Sequence, residues 1–162
     1  MEDHGSPALR VLLASLPDAI RGTHAHYGDA TALVDAERVD QVLLRLRDDP
    51  QLAFEMLTDL TCVDYLGEEP RFEVVYHLYS VAKNHRVRVK ARVSEASPEL
   101  PSAVALWPSA DWMEREVWDL YGVRFRGHPD LRRILLYDGF EGHPLRKDYP
   151  KEKRQPLVGP RN

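Results

Sequence analysis

The chain has 162 residues, of which 43% are hydrophobic and 30% are charged, and this length and composition suit one globular domain of ordinary size. The uninterrupted apolar runs, such as Val11–Ala14, are far shorter than the roughly 20 residues that a membrane-spanning helix requires. The acidic start lacks a basic and then apolar leader, so we expect no targeting peptide. The single cysteine, Cys62, cannot form an internal disulfide or hold an iron–sulfur cluster by itself, and it suits the reducing cytosol.

Charge is distributed unevenly along the sequence. Residues 124–162 contain 10 Lys and Arg against 5 Asp and Glu, a balance of +5, whereas residues 1–123 contain 12 against 21, a balance of −9. The last segment also holds five of the 12 prolines, which remove backbone donors and favour extended chain. We therefore predict an α+β body over residues 1–123 and an extended basic arm over residues 124–162 that docks on a partner subunit.

The first third of the chain predicts two helices and a short strand. Ser6 caps an amphipathic helix that has proline in its first turn. The apolar run Ala30–Val34 predicts a buried strand, and Asp35 caps a second helix that ends before Pro50. Residues 52–65 fit either a helix, from the spacing of their apolar residues, or a strand, from their β-branched residues.

Period-2 alternation over residues 72–79 and 86–93, on either side of a turn at Lys83-Asn84, predicts a β-hairpin. The second strand has one wholly basic face, which is either a solvated surface with edge-protecting charge or a docking surface for an acidic partner. Residues 102–107 predict a short helix, and Ser109 caps another over residues 110–121 that ends at Gly122. The predicted fold is α+β: a small mixed sheet with a β-hairpin and packed helices, followed by the extended basic C-terminal arm.

The last predicted helix carries two glutamates, Glu114 and Glu116, that point about 160° apart and therefore cannot act together as a catalytic acid and base. Glu116 falls between Trp112 and Leu120 in the predicted apolar arc. Because a buried carboxylate needs a cation or several donors, we expect Glu116 to pair with an arginine of the basic arm, unless it lies solvated at the rim.

The same helical wheel places Trp118 on the polar side, where an exposed aromatic residue often marks a protein interface. Arg115 lies four residues from both Asp111 and Asp119 and predicts a surface ladder of charges.

Other reactive side chains form no convincing site. His128 and His143 each precede a proline, and hydrogen bonding within a turn is favoured over a general-base role. His24 and His26 lack a third metal ligand nearby, and Cys62 lacks the basic neighbours that lower a thiol pKa, which favours a core thiol. The chain has no glycine-rich nucleotide loop, and its few arm aromatics argue against RNA binding.

Several long motifs, in order, carry a resemblance to a known family. They are residues 57–65, 71–78, 114–123, 128–135 and 139–150. This pattern resembles the 30 kDa subunit family of the proton-pumping NADH-quinone oxidoreductase, respiratory complex I. The likeness extends over about residues 54 to 150.

The resemblance implies a structural subunit of the peripheral arm, in the quinone-reducing module, that supports assembly and positions redox subunits. It implies NADH:quinone oxidoreductase activity only for the whole complex, with no catalytic, cofactor-binding or metal-binding residues in this chain and with FMN and iron–sulfur clusters in partner subunits. The expected neighbours are the large hydrogenase-like subunit and a smaller cluster-bearing subunit of the same complex, with no nucleic acid, on the cytoplasmic face of a bacterial inner membrane. The residues assigned to the family signature and subunit interface are Glu114, Arg115, Glu116, Trp118, His128, Arg132, Arg133, His143, Arg146 and Lys147.

Two alternatives remain open. The first is the corresponding subunit of a related membrane-bound hydrogenase or of a dehydrogenase with another electron donor, which shares the same signature, so the sequence discriminates poorly between them. A free-standing small enzyme would have to use His128 and Glu116.

Because the sequence ends soon after residue 158, we expect neither a fused large hydrogenase-like subunit nor a long tail, and the missing transit peptide suggests a bacterial or organelle-encoded protein.

Overall fold

The computed structural model describes residues 1–153 and 155–156. Within them, three α-helices and seven strands alternate along the chain, with 3₁₀ turns at residues 17–19, 26–28 and 36–38. The helices are α1 (Pro7–Ser15), α2 (Val39–Asp48) and α3 (Ala110–Tyr121). The strands are β1 (Ile20–His24), β2 (Thr31–Val34), β3 (Met56–Asp64), β4 (Phe72–Ser80), β5 (His85–Val93), β6 (Glu99–Pro101) and β7 (Arg124–Arg126).

Five strands form one mixed sheet in the order β1-β2-β5-β4-β3, in which only the β2–β5 pair is parallel among the described residues. The predicted hairpin is confirmed as β4 and β5, joined by a turn in which Asn84 has a φ of 50°. Strands β6 and β7 form a separate parallel pair. The predicted α+β class, with a small mixed sheet and packed helices, is confirmed.

The core lies between one face of the large sheet and the helices. Alternate residues of β4, from Phe72 to Leu78, face this core, together with buried apolar side chains of all three helices. On the opposite face the cations of β5 meet acidic residues of the same chain: Arg88 bonds to Asp29 at 2.8 Å and Lys90 to Glu73 at 2.8 Å. Because β5 lies inside the sheet, its basic face does not protect an edge.

Three local predictions change in the structure. Residues 52–65 contain β3 and no helix. Residues 102–107 form a single turn, closed by the bond from the Trp107 amide to the Ala103 carbonyl at 3.0 Å, because Glu114 holds the Ala103 amide and the Trp107 indole donates to Phe54. Ser109 stands at the start of α3, but its hydroxyl donates to the Leu57 carbonyl at 3.4 Å and does not cap the helix.

The start of the predicted basic arm is part of the body, since β7 pairs with β6. From residue 127 onward the described chain has turns but no helix or strand. Residues 154 and 157–162 of the predicted arm lie outside the described residues.

Among the three buried side-chain polar atoms without a hydrogen-bond partner in the described chain is the hydroxyl of Tyr76, whose side chain is fully buried. An unpaired buried hydroxyl destabilises the folded state, so Tyr76→Phe should raise the free energy of unfolding by about 1 kcal/mol. Urea titration of the purified chain measures this change. A loss of stability in the variant would contradict the prediction, because it would mean that the hydroxyl has a partner inside the protein.

Candidate functional site: the junction of α3 with the basic arm

The buried side of α3 differs from the predicted apolar arc. Glu116 is exposed and forms no ion pair within the described residues, so the proposed pairing of Glu116 with an arm arginine is wrong, and the solvated alternative holds. Trp112 is 70% exposed, whereas Glu114 and Asp119 are fully buried. The helical wheel misplaced the buried side of α3 because it assumed that the buried side is the most apolar one. The side that carries Asp119 is instead buried by polar groups of the arm.

Glu114 points into the body, away from the arm. Its carboxylate accepts hydrogen bonds from the Ser102 hydroxyl at 2.7 Å and from the Ala103 amide at 2.6 Å. Burial raises the pKa of Glu114 to about 7, because these neutral donors offset only part of the loss of water. This signature residue therefore connects α3 to the segment that follows β6.

Asp119 is the centre of the contact between α3 and the arm. One carboxylate oxygen accepts bonds from the consecutive amides of Ile134, Leu135 and Leu136 at 3.1, 2.9 and 2.9 Å. The other oxygen accepts from the Arg133 guanidinium at 2.6 Å. Burial alone would raise the pKa of Asp119, but these four donors together hold it below its ordinary value.

Arg133 extends this contact into the arm. Its guanidinium also donates to the carbonyls of Phe140 at 2.7 Å and Gly142 at 3.3 Å, so it ties two parts of the arm to one carboxylate. It lies 5.8 Å from the centre of the Trp118 ring, within cation–π range. Trp118 is therefore partly covered by the chain's own arm, and is not the exposed aromatic residue that the sequence predicted.

The arm also covers the C-terminal end of α3, where the last carbonyls of a helix lack partners inside the helix. His143 donates to the carbonyl of Asp119 at 2.9 Å, the Leu145 amide donates to Leu120 at 3.1 Å, and Arg146 donates to Tyr121 at 2.6 Å. Burial is the main cause that lowers the pKa of His143, which favours the neutral ring. The segment 143–146 thus satisfies three successive helix carbonyls.

Gly122 allows this close approach. Its φ of 79° is in the left-handed region, as the sequence predicted, and a Cβ placed there would lie 2.6 Å from both Arg146 and His143. Both side chains are fixed by their bonds to helix carbonyls, so neither can move away without losing them.

A second tie joins the arm to the sheet through Arg71, whose side chain is only 2% exposed. Its guanidinium makes a two-bond contact with the buried Asp64 of β3, at 2.8 Å for each bond. It also binds Glu95 at 2.7 Å and the arm residue Asp148 at 2.7 Å. The Lys147 amide adds a bond to Asp64 at 2.7 Å, and this network lowers the pKa values of Asp64 and Asp148, chiefly through Arg71.

Arg115 and His128 hold the first part of the arm along α3. Arg115 donates to the carbonyls of Arg132 and Arg133 at 3.1 and 2.9 Å, so the predicted ladder of surface charges does not form. One ring nitrogen of His128 accepts from the Asp130 amide at 3.0 Å, and the other lies 3.1 Å from the Asp111 carbonyl. The predicted hydrogen-bonding role of His128 in a turn is confirmed.

The ten predicted site residues therefore divide into groups. Six hold α3 and the arm together: Arg115, Trp118, His128, Arg133, His143 and Arg146. Glu114 faces the body, and Glu116 faces solvent. Arg132 and Lys147 are exposed, and the Arg132 side chain contacts only the exposed Asp130 among the described residues.

Sequence reasoning missed Asp64, Arg71, Asp148 and the central place of Asp119. Arg71 and Asp148 are 77 residues apart, and no local pattern connects them. The sequence did contain one signal for Asp119. This acidic residue lies in the last turn of a helix that ends at the left-handed Gly122, and a cationic segment follows the helix.

His128 and Glu116, the side chains that a free-standing enzyme would have to use, lie in different surroundings in the described structure. Both nitrogens of His128 are engaged, and Glu116 stands alone at the surface. Burial raises the pKa of Cys62 to about 12, which disfavours a reactive thiolate. Within residues 1–153 and 155–156 no cluster of three or more His, Cys, Asp or Glu could hold a metal ion, and no helix has the length and apolar content to cross a membrane.

The family described as "Respiratory-chain NADH dehydrogenase, 30 Kd subunit" matches residues 32–155 of this chain. The chain belongs to this family. A NADH-quinone oxidoreductase subunit from Roseiflexus castenholzii is 52% identical over 139 residues, which cover 86% of this chain and 80% of the relative. The subunit of the same name from Rhodopseudomonas palustris strain CGA009 is 48% identical over 151 residues, which cover 93% of this chain and 74% of that relative.

Two solved structures are also similar. A trypsin-resistant fragment of Nqo5 superimposes with a TM-score of 0.66 and 32% identity, covering 75% of this chain and 97% of the fragment. A chain of an archaeal membrane-bound sulfane sulfur reductase superimposes with a TM-score of 0.75 and 24% identity, covering 91% of this chain and 86% of that chain. At that identity the second likeness shows a shared fold alone.

Gly122→Ala tests the close approach of the arm, and Gly127→Ala is its matched control. Both glycines have a positive φ, 79° and 82°, but a Cβ at Gly127 would meet nothing within 4 Å. The control, Gly127→Ala, should lower the free energy of unfolding by about 1 kcal/mol, because alanine is less stable than glycine in the left-handed backbone conformation. Gly122→Ala should cost about 2 kcal/mol more, because the new methyl displaces fixed side chains.

Urea titration gives both values, and limited proteolysis reports whether the arm is released. Equal costs for the two variants, with the arm equally resistant to protease, would contradict the close contact at Gly122.

Glu114→Gln tests the buried carboxylate. Because the pKa of Glu114 is higher in the folded chain than its ordinary 4.5, its contribution to stability is complete below pH 4.5 and is lost as the pH rises through about 7. As the pH rises over that range, the burial of Glu114 should therefore lower the free energy of unfolding of the wild type by roughly 3 kcal/mol. Glutamine carries no charge and should remove this decline, whereas Glu116→Gln, on the exposed side, should leave it unchanged.

Unfolding titrations at a series of pH values from about 4 to about 9, which bracket both the ordinary and the raised pKa, measure the decline. The assignment fails if the wild type and Glu114→Gln show the same dependence on pH.

Proposed function

We propose that this chain serves as the 30 kDa-family subunit of a proton-translocating NADH-quinone oxidoreductase and that it supports the assembly and positioning of the redox subunits. The observation that carries the proposal is the 52% identity, over 86% of this chain, to a relative named as a subunit of that enzyme. The geometry agrees with a structural role, because most of the signature residues make hydrogen bonds or ion pairs with other described residues of the chain.

In this proposal the chain carries no cofactor, and FMN and the iron–sulfur clusters belong to other subunits. The lone thiol, Cys62, is buried with a raised pKa, so it is a poor ligand for a cluster. The chain belongs to the peripheral arm, in the quinone-reducing module, on the cytoplasmic face of a bacterial inner membrane, and reaches the membrane only through the complex.

The proposed neighbours are the large hydrogenase-like subunit and the smaller cluster-bearing subunit. Two arm cations of the family signature, Arg133 and Arg146, are both engaged within the chain. Exposed side chains on the described part of the arm include Arg132 and Lys147, together with the apolar Leu135. We assign the contact with the large hydrogenase-like subunit to these outward side chains. The side chains that bond within the chain, such as Arg133 and Arg146, attach the arm to α3.

A corresponding subunit of a membrane complex with another electron donor is the second candidate. The observation in its favour is the shared fold with a chain of the archaeal sulfane sulfur reductase. The two candidates differ in their partner chains, since the first requires NADH-oxidising subunits in the same complex.

Reversing the outward charges tests the proposed docking. Arg132→Glu with Lys147→Glu should reduce recovery of the chain with the large hydrogenase-like subunit about tenfold or more, since two charge-assisted contacts of roughly 1.5 kcal/mol or more each are lost. Lys83→Glu, in the exposed hairpin turn, is the control with one reversed charge away from the arm. The measurement is affinity purification of the tagged chain from native membranes, with partner chains identified and with flavin and iron measured on the separated chain.

Three results would contradict the proposal. The first is a wild-type chain that recovers none of these partners. The second is an intact complex of the charge-reversed variant in which only turnover falls. The third is a separated chain that retains stoichiometric flavin or iron.

A further inference from the structure

Strand β3 forms one edge of the large sheet and pairs only with β4 among the described strands. In an antiparallel edge strand, alternate residues direct their N–H and C=O groups away from the sheet. The structure satisfies one of these groups, the Leu57 carbonyl, with the Ser109 hydroxyl. The register of β3 is irregular only between Leu57 and Asp59, so the following residues to Asp64 form a regular, open edge.

This edge has little of the usual protection against pairing beyond the irregularity between Leu57 and Asp59. Edge strands are commonly short or carry lysine, proline or a bulge in their middle. The other edge, β1, has five residues and an irregular register beside Gly22. Strand β3 has nine residues with no lysine or proline, and its Asp64 is buried against Arg71.

Apolar side chains are exposed along the same edge. Met56 and Val63 of β3 are 45% and 37% exposed, and Leu66, just after the strand, is 48% exposed. Helix α3 runs beside β3, since Ser109 meets Leu57 at one end and Tyr121 lies near Asp64 at the other. The side of α3 that the arm leaves uncovered carries Trp112, which is 70% exposed.

Two exposed carboxylates lie at this edge. Asp59 on β3 and Glu116 on α3 are both exposed, and neither forms an ion pair within the described part of the chain. A segment lying along the edge would have Asp59 on one side and Glu116 on the other. Charge complementarity therefore requires cationic residues in that segment.

We propose that the outer edge of β3, together with the uncovered side of α3, binds an extended, cationic segment of a neighbouring subunit by strand addition. Main-chain hydrogen bonds to β3 supply the pairing, apolar side chains of the segment cover Val63 and Trp112, and its lysine or arginine residues meet Asp59 and Glu116. This inference rests on the proposed function, because it requires a neighbouring subunit, and it names a surface that adjoins the arm at Asp64, which accepts the Lys147 amide.

A second copy of this chain is a poor occupant of the same edge. Two β3 strands paired with each other would bring their Asp59 and Glu116 carboxylates toward one another. The repulsion between these like charges favours a different partner chain.

The test is hydrogen–deuterium exchange on the intact complex purified from native membranes. The amides of β3 should exchange as slowly as those of β4 and about tenfold or more slower than those of β1, the other edge. Asp59→Lys with Glu116→Lys should restore fast exchange to β3 while β4 stays protected, which shows that the variant is folded. Asp18→Lys, an exposed acid elsewhere on the chain, should leave β3 protected.

Zero-length carbodiimide crosslinking of the same complex identifies the occupant. Asp59 and Glu116 should join to lysine residues of one extended segment in a neighbouring subunit, and the crosslinks should disappear in Asp59→Asn with Glu116→Gln. Crosslinks to another copy of this chain, or β3 amides that exchange as fast as those of β1 in an intact complex, would overturn the inference. A chain that is absent from the complex would instead contradict the proposed function.

Discussion

The burial of Asp119 is the interaction on which the junction depends. A fully buried carboxylate on a helix is costly unless several donors replace its lost water. Here all four donors come from the arm: the guanidinium of Arg133 and the amides of residues 134–136. Helix α3 is therefore complete only when the arm is in place, and the arm, which has no helix or strand of its own after residue 126 among the described residues, takes its path from the helix.

Two buried carboxylates on one helix show how partners decide the direction of a pKa shift. Glu114 and Asp119 are both fully buried, yet the pKa of Glu114 is raised and that of Asp119 is lowered. The difference is the donor set, since Glu114 accepts from one hydroxyl and one amide while Asp119 accepts from three amides and a cation. Stability from Asp119 is present above its ordinary pKa and falls in acid, which is opposite in sign to the effect of Glu114.

Patterns within short segments predicted most of the fold. Alternation predicted the β4–β5 hairpin, and Gly122 predicted the end of α3. The site was harder, because its contacts join residues distant in sequence, such as Arg71 with Asp148. The wheel also misassigned Glu114 and Glu116, since it assumes that a buried helix face is apolar. Family motifs located the right segments, and only the three-dimensional contacts separated the residues that hold the arm from those left at its surface.

The hydrogen bonds that Asp119 makes to residues 134–136 end on main-chain amides, which every amino acid except proline possesses. The carboxylate therefore fixes the path of the backbone without constraining which side chains that backbone carries. Leu135, 62% exposed, shows where this freedom is available. Evolution can change such outward side chains to suit a changing partner while Asp119 and Arg133 stay fixed, so that anchorage and recognition are encoded by different atoms of the same short segment.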